Sequence, residues 1–600
     1  MTEEKQEENL LTKKVSRRAV IAGIASGAVV GAVAGIASGS MLAPKGETGS
    51  AGIQGPAGPL INSPGAVYPI KYTMDVVVIG AGGGGMCAAV SAAQEGLKTL
   101  VLEISQKTGG GQVYSGGQLH TAGLQDWDQY LAYTEGLHDP NLGQTYVTTF
   151  RNTLLPWLTS IGAYFSMGTG KGPLWEGDPF LGHGEPQGKR LYFTSLETAL
   201  TKAGGQILLK TRGLKLLTDT NGKLAGVRAS TWSASPTEQN QTIFDISTKS
   251  VILANGNFIN NPELKMKYIA PYADRALVEG VPYARGDGML MAQELGASLS
   301  GSMDSFSGTT CALTPVDNQT ESDPDKFEQA SAASNPDGSD YGTKVTAGMY
   351  GHPLWIAYCG PGFPAPPGAP SDPAWTYGTD VVIGPSYAIL VNLQGKRFVD
   401  ENSPMDAKYA RLPQAVLQQR QGTALLIADK VIHDKDKYAD ASMQALTAPG
   451  VGGTVVTANS LQDLATGIAA KFPFYPSTFL QEISDYNAAI DAATTSQLST
   501  PRTVLPTSVE PNGGLYKIST PPFYAVALTA CMYYNMGGLA INTSAEVLDM
   551  EKTPIPGLYA TFPCAGGLMK GMYTGGNASS STFGYIAGKS AATYIKSLPT

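Results

Sequence analysis

Cysteine and histidine are both scarce in this 600-residue chain, five of each. Cys87, Cys311, Cys359, Cys531 and Cys564 are scattered, with no C-x-x-C and no C-x-x-C-H. That spacing excludes an iron–sulfur ligand run and a c-type haem attachment site. The histidines at 120, 138, 183, 352 and 433 are equally isolated, so no metal centre is expected and the thiols read as separate buried side chains. Charge is thin too, at 15% of residues, and sums to −8. No basic stretch carries interleaved aromatics, which argues against a nucleic-acid partner. With 42% hydrophobic residues, a chain of this length can bury a large core and reads as two or more domains.

A long uncharged apolar run occurs at the N-terminus, from Ala19 to Ala43. It follows Lys13-Lys14-Val15-Ser16-Arg17-Arg18, a pattern that resembles a twin-arginine export signal. The run is long enough to span a bilayer, yet it is rich in Gly and Ala. Residues 1–43 are therefore read as an export signal that carries the protein across the cytoplasmic membrane. An uncleaved signal acting as a membrane anchor stays open, because Pro44 follows Ala43. Residues 44–70, with Gly at 46, 49, 52, 55 and 58, read as a linker; collagen needs many more triplets.

Glycine, by contrast, is plentiful, with 72 residues. The most informative are in Asp75-Val76-Val77-Val78-Ile79-Gly80-Ala81-Gly82-Gly83-Gly84-Gly85-Met86. Four aliphatic residues in succession predict a strand buried on both faces. Gly80, Gly82 and Gly85 then fit G-x-G-x-x-G: a tight turn, a close approach to pyrophosphate, and a close helix–strand contact. A helix from Met86 to about Glu95 would offer its free N–H groups to phosphate. Gly96 stops it, Lys98–Leu102 is the next strand, and Glu103 stands where a carboxylate accepts from ribose hydroxyls. A lone G-x-G-x-x-G is weak; strand, glycines, helix, strand and acid in this order point to dinucleotide binding, with Gly83 also in the loop.

Thr108–Gly117 is a second glycine-rich loop, and Gly109 and Gly110 are candidate cofactor contacts. From Leu119 to Asn141 the chain turns polar and aromatic. Gln206–Val227 predicts short strands around an Asn221-Gly222 turn. Val251–Leu253 predicts a buried strand ending on Ala254-Asn255-Gly256, and Gly286-Asp287-Gly288 opens a helix to about Leu295. Composition shifts after Gly301 towards Pro, Gly, Ser and Asp up to Pro385, a long irregular insertion. Ala388–Asn392 and Gly395–Phe398 predict a strand pair, residues 407–500 alternate helical patterns with turns, and the last hundred residues return to short strands and a closing helix.

From about Met74 to Ala592 the chain resembles the fumarate reductase/3-ketosteroid dehydrogenase group of FAD flavoproteins. The motifs are GAGGGGMCAAVSAA (80–93), ANGNF (254–258), RGDGMLMAQELGA (285–297), NLQGKRFVDE (392–401), MGGLAIN (536–542), PIPGLYA (554–560) and GGNASSSTFGYIAG (575–588). The resemblance implies an α/β fold: a split Rossmann-like FAD-binding domain (71–300 and 535–600) with an inserted α+β capping domain (301–534). It implies cofactor contacts at Ala254, Asn255, Gly256, Asp287 and Ser580. It also implies hydride exchange between the flavin and an activated C=C bond, with the protein supplying orientation and a proton.

The departures from the family pattern narrow the substrate. Fumarate reductases of this group carry a proton-donating arginine four residues after the acid matched by Glu401; here Met405 stands there. They have a His pair where this chain has Tyr533-Tyr534, and an Arg where it has Tyr573. The dicarboxylate clamps are thus missing, and fumarate is not the expected substrate. Tyr573 matches the ketosteroid dehydrogenase tyrosine that stabilises an enolate, with Tyr534 beside it. Tyr409, four residues after Met405, is the candidate proton donor. Tyr533, Met405 and His352, which precedes Pro353, are candidate substrate contacts. His120 sits past the family's flavin attachment position, so FAD is expected to be non-covalent. With no haem or iron–sulfur motif in the chain, electrons would come from a separate membrane or cytochrome partner. The expected function is an exported reductase of an alkene next to a carbonyl, in a small neutral substrate, as in anaerobic respiration. The alternatives are a ketosteroid-like dehydrogenase and a non-catalytic electron carrier.

Overall fold

In a computed structural model, residues 68–599 are described apart from 116, 118, 120–125, 137, 170–175, 182–187, 234–240, 279, 314–386, 403–410, 436–438, 448–451 and 505–511. The export signal and almost all of the linker expected from the sequence lie outside the described residues, as do His120, His352, Cys359, Met405 and Tyr409.

In chain order the elements that matter for the site begin with β1 (Val76–Ile79), α1 (Gly83–Gln94), β2 (Thr99–Leu102), α2 (Trp127–Tyr133) and α3 (Pro140–Thr149). Then come β3 (Gln206–Leu208), β4 (Ser250–Leu253), α4 (Asp287–Gln293), β5 (Phe306–Ala312), β6 (Ile389–Asn392), β7 (Ala424–Ala428) and β8 (Val455–Ala458). The last are β9 (Phe523–Asn535), β10 (Glu546–Leu548), β11 (Pro554–Ala560) and α5 (Gly576–Ser597).

The first sheet runs β10-β11-β4-β1-β2-β3. All its pairings are parallel except β10 with β11. β1 is aliphatic throughout because β4 and β2 flank it and helices cover it, leaving all four residues buried. Chain order explains the split fold: β11 comes from the far C-terminal region yet pairs with β4, matching Val251 to Leu558.

The helix after β1 starts at Gly83, three residues earlier than the sequence reading placed it, with Gly82 as its N-cap. Apart from Gln94 it is buried all round, which fits its small, uncharged composition. α5 crosses it at close range. A Cβ on Gly584 would lie 2.1 Å from the Gly84 carbonyl oxygen, and one on Gly588 would lie 2.0 Å from Ser91 Oγ. Ser91 Oγ also donates to the Tyr585 carbonyl at 3.1 Å.

The second sheet is organised on β9, thirteen residues long. β7 and β8 pair with its first half, and β5 and Leu277–Val278 with its second half. Its side chains join two hydrophobic cores: Ala530 and Met532 belong to the core around β1 and α1, Leu528 and Cys531 to the core around β6 and β7. The fold is thus α/β, a Rossmann-like sheet with a capping unit. Two expectations change here. Residues 407–500 are not helices and turns alone, since they supply β7 and β8. β9, the longest strand, was not anticipated, because it is buried on both faces and lacks an alternating pattern.

One buried cluster braces the cap. Glu401 accepts from Arg397 (Nη2 at 2.6 Å, Nε at 3.1 Å), from Arg502 Nη1 at 3.0 Å, and from Leu390 N–H at 2.8 Å. All three charged side chains are fully buried. Burial alone would raise the Glu401 pKa, but the two guanidiniums outweigh it and hold the carboxyl below the ordinary carboxylate range. Among the described residues no helix is long and apolar enough to cross a membrane.

Candidate active site

The glycines after β1 divide into those that pack and those that leave room. Gly80 has φ +103°, and a Cβ there would strike the Ala254 carbonyl oxygen at 2.4 Å. A Cβ on Gly85 would lie 1.9 Å from the Gly80 carbonyl oxygen, so the helix can approach the strand only without a side chain. Gly83 is required by the Gln112 amide, 2.0 Å from where its Cβ would stand. Gly82 differs: its nearest neighbour is Gly110 Cα at 3.9 Å. The Gly109–Gly110 turn closes over it, with Gly109 N–H donating to Ala81 O at 2.9 Å. Arg190 fixes the approach to that turn by donating to Thr108 O and Oγ1 at 3.0 and 2.9 Å.

Glu103 is buried at the end of β2. Its Oε2 accepts from Ala81 N–H at 2.7 Å and its Oε1 from Ser105 N–H at 2.9 Å. These two bonds fix the carboxylate beside the glycine turn. Ala254 closes on β1 through N–H to Ile79 O at 2.8 Å. Asn255 packs against α4, where a Cβ on Gly288 would lie 2.1 Å from its Oδ1, and Gly256 turns the chain at φ +82°. Asp287, in the first turn of α4, is paired with Arg212 Nη2 at 2.8 Å.

α1 and α5 both begin without a side-chain cap and without an acidic residue in the first turn. At α1 the first N–H groups suit an anionic or electron-rich ligand, whereas at α5 the first of them, Gly576 N–H, turns to the Tyr573 phenol oxygen. Gln112 ties the two helix starts together. Its Nε2 donates to Ser580 Oγ at 2.8 Å and to Asn577 O at 3.1 Å. Ser580 Oγ is thereby engaged within the protein, and it also donates to Asn577 O at 3.1 Å. Gln112 Oε1 is buried with no hydrogen-bond partner among the described residues. Gln112 and Asn577 are site residues that the sequence reading missed; the adjoining motifs TGGGQ and GGNASSS were the available signal.

Tyr534, at the end of β9, and Tyr573, before α5, come together as a tilted pair with ring centroids 6.4 Å apart. Both are half-buried. A Cβ on Gly576 would touch Tyr534 Cε1 at 2.8 Å, so the pair stands at the start of α5. Tyr534 Oη lies 3.5 Å from Met569 Sδ. Burial pushes the Tyr573 hydroxyl up to about 12 although Gly576 N–H donates to its oxygen. Burial, and then Tyr573 itself, push Tyr534 well above the ordinary tyrosine range. Both phenols stay protonated at physiological pH. Tyr533 precedes Tyr534 at a break in the β5–β9 register, where pairing steps from Met532 opposite Gly308 to Tyr534 opposite Ser307. Among the described residues no cluster of three His, Cys, Asp or Glu could hold a metal. The four described cysteines are buried and form no disulfide among the described residues.

A parallel sheet with an open glycine turn, a buried acid at the end of the second strand and two helix starts without side-chain caps defines a dinucleotide-dependent oxidoreductase. The chain belongs to the FAD binding domain family, whose profile matches residues 75–307 and 372–582. It is an FAD-dependent oxidoreductase acting on CH–CH groups. It is 25% identical to a fumarate reductase (cytochrome) of Shewanella frigidimarina, over 87% of this chain and 78% of that one. It is also 25% identical to the vinyl phenol reductase of Lactiplantibacillus plantarum, over 85% and 93% of the two chains. Its fold is similar to the 3-ketosteroid delta1-dehydrogenase of Sterolibacterium denitrificans, at a TM-score of 0.61 and 18% identity, covering 87% and 99% of the respective chains.

Proposed function

We propose that the protein reduces an activated C=C bond conjugated to a carbonyl in a small neutral substrate, using non-covalently bound FAD. The observation that carries this reading is the Tyr534–Tyr573 pair at the start of α5. The FAD fit is supported by the room at Gly82 and by the unpartnered Gln112 Oε1, an acceptor suited to a ribityl hydroxyl. In this reading Gly82–Gly85 and Gly109–Gly110 cradle the pyrophosphate, Glu103 accepts from the ribose, and Asn577 meets the flavin end. Bound FAD supplies the hydride chemistry.

The chain's own residues do the rest. Tyr573 donates its O–H to the carbonyl oxygen as negative charge grows there, the task of an oxyanion donor. Gly576 N–H, by donating to the phenol oxygen, strengthens that O–H as a donor. Tyr534 packs beside it and shields the bond from water. Tyr409 delivers the proton to the α carbon, a task a thioether such as Met405 cannot perform. His352, Met405 and Tyr533 contact the remainder of the substrate. Segments 71–300 and 535–600 hold FAD and 301–534 caps the substrate, an assignment supported by the two hydrophobic cores. A separate membrane-bound or cytochrome partner supplies electrons, and the mature protein works outside the cytoplasmic membrane, held there by its signal if that segment is not removed.

Turnover of reduced methyl viologen against enones, enoates, 4-vinylphenol, fumarate and steroid enones tests the proposal. Neutral conjugated carbonyl compounds should be reduced and fumarate should not. Tyr573→Phe should lower turnover by ~10²–10³, and Tyr409→Phe by ~10²–10⁴, with the flavin spectrum unchanged. Fast fumarate reduction, or Tyr573→Phe at full activity, would sink the reading.

A further inference from the structure

The aromatic residues of α2 and α3 have no part in the reaction as proposed, yet their hydroxyls converge on one segment. Tyr573 sits in Gly567–Gly575, between β11 and α5, outside any helix or strand. Gly567, Gly571 and Gly575 there have φ of +99°, +67° and +96°. Such a glycine-rich segment has little intrinsic stiffness. Its carbonyls are instead held from outside. Tyr133 Oη donates to the Tyr573 carbonyl at 2.9 Å. Tyr146 Oη donates to Thr574 O at 2.8 Å and Gly575 O at 3.3 Å. Tyr130 Oη reaches Leu568 O and Thr574 Oγ1, both at 3.3 Å. Asp139 N–H adds a bond to Gly567 O at 2.9 Å.

Two of the donor rings are themselves locked in an aromatic box. Tyr130 meets His138 edge-on at 4.9 Å and Tyr146 edge-on at 6.0 Å, and Trp127 stacks on Tyr130 at 6.0 Å. Gly143 makes the box possible, since a Cβ there would lie 2.5 Å from His138 Nε2. Tyr146 and Tyr130 are fully buried, while Tyr133, the last residue of α2, is half-buried. Removal of the Tyr133 hydroxyl alone therefore disturbs the core least.

We infer that Tyr133 is a positioning residue: its hydroxyl, with that of Tyr146, clamps the backbone at and just after Tyr573 and sets where the Tyr573 phenol meets the substrate. The inference rests on the donor role proposed for Tyr573. A clamp of this kind acts on geometry, and a displacement of about 1 Å at a reacting group can cost ~10²-fold in rate.

A double-mutant cycle on the full-length FAD-loaded protein tests it, with reduced methyl viologen and the fastest acceptor of the panel above. Tyr133→Phe should lower kcat about tenfold and change KM less than about twofold. In the Tyr573→Phe background the same change should alter kcat less than about twofold, because the effect runs through the lost phenol. FAD affinity of the apoprotein, read by flavin fluorescence quenching, and the melting temperature should match those of the parent. Equal losses in both backgrounds would overturn the clamp, as would unchanged kcat in Tyr133→Phe or a loss that tracks weakened FAD binding or a lowered melting temperature. If Tyr573→Phe itself kept full turnover, the donor role would fall, and that result is distinct from failure of the clamp alone.

Discussion

Glu103 is the acid proposed to accept from the ribose. Its bonds from Ala81 and Ser105 N–H hold the end of β2 against the glycine turn. Glu103→Gln keeps the shape, removes the charge and turns one acceptor into a donor. Loss of charge-assisted bonds of this kind costs about 1.5–3 kcal/mol, so the Kd for FAD should rise by roughly one to two orders of magnitude. Titration of apoprotein with FAD measures it. In the parent protein, acid precipitation should release all the flavin to the supernatant; flavin left on the polypeptide would contradict non-covalent binding. At Tyr573 the expectation concerns pH. Its pKa is raised to about 12, so the proton it donates is present throughout pH 6–9. The kcat profile should show no fall near pH 10 assignable to Tyr573, and a fall there that vanished in Tyr573→Phe would contradict the donor role.

At the scale of elements, the Arg397–Glu401–Arg502 cluster decides whether the cap holds its shape. Glu401→Gln leaves two buried guanidiniums without their countercharge, a loss of about 3–5 kcal/mol where a buried pair is broken. The expected result is earlier melting of the cap and faster proteolysis within it, with FAD still bound. The pH dependence follows from the lowered Glu401 pKa, against an ordinary 4.5. The cluster's stabilisation is fully present above that ordinary value and is lost as pH falls through the lower, folded value. Acid should therefore loosen the cap first. β9 carries the other element-scale lesson. Its first half pairs with β7 and β8 and its second with β5 and Leu277–Val278, while Ala530 and Met532 pack into the core around β1 and α1, so it links the two cores and carries Tyr534 at its end. No local pattern announces such a strand, since burial on both faces removes alternation.

For the whole molecule, export as a folded, FAD-loaded protein is the expectation carried by Arg17 and Arg18. Arg17→Lys together with Arg18→Lys should leave the protein in the cytoplasm, with FAD bound. Cell fractionation reads the outcome, and normal export of that double variant would contradict the assignment. By itself the sequence determined the cofactor end of this protein. β1, the glycine turn, α1, β2 and Glu103 are contiguous, and backbone sterics make their spacing legible: Gly80 and Gly85 admit no side chain. Resemblance along the chain also determined the split α/β architecture. Tertiary structure alone decided the rest. Gln112 reaches Ser580 across 468 residues, and Tyr133 reaches Tyr573 across 440. The pairing of Tyr534 with Tyr573 depends on where β9 ends relative to α5. Hydrogen bonds between such distant positions leave no periodicity in sequence, because they depend on how separate elements pack and not on local conformational preference.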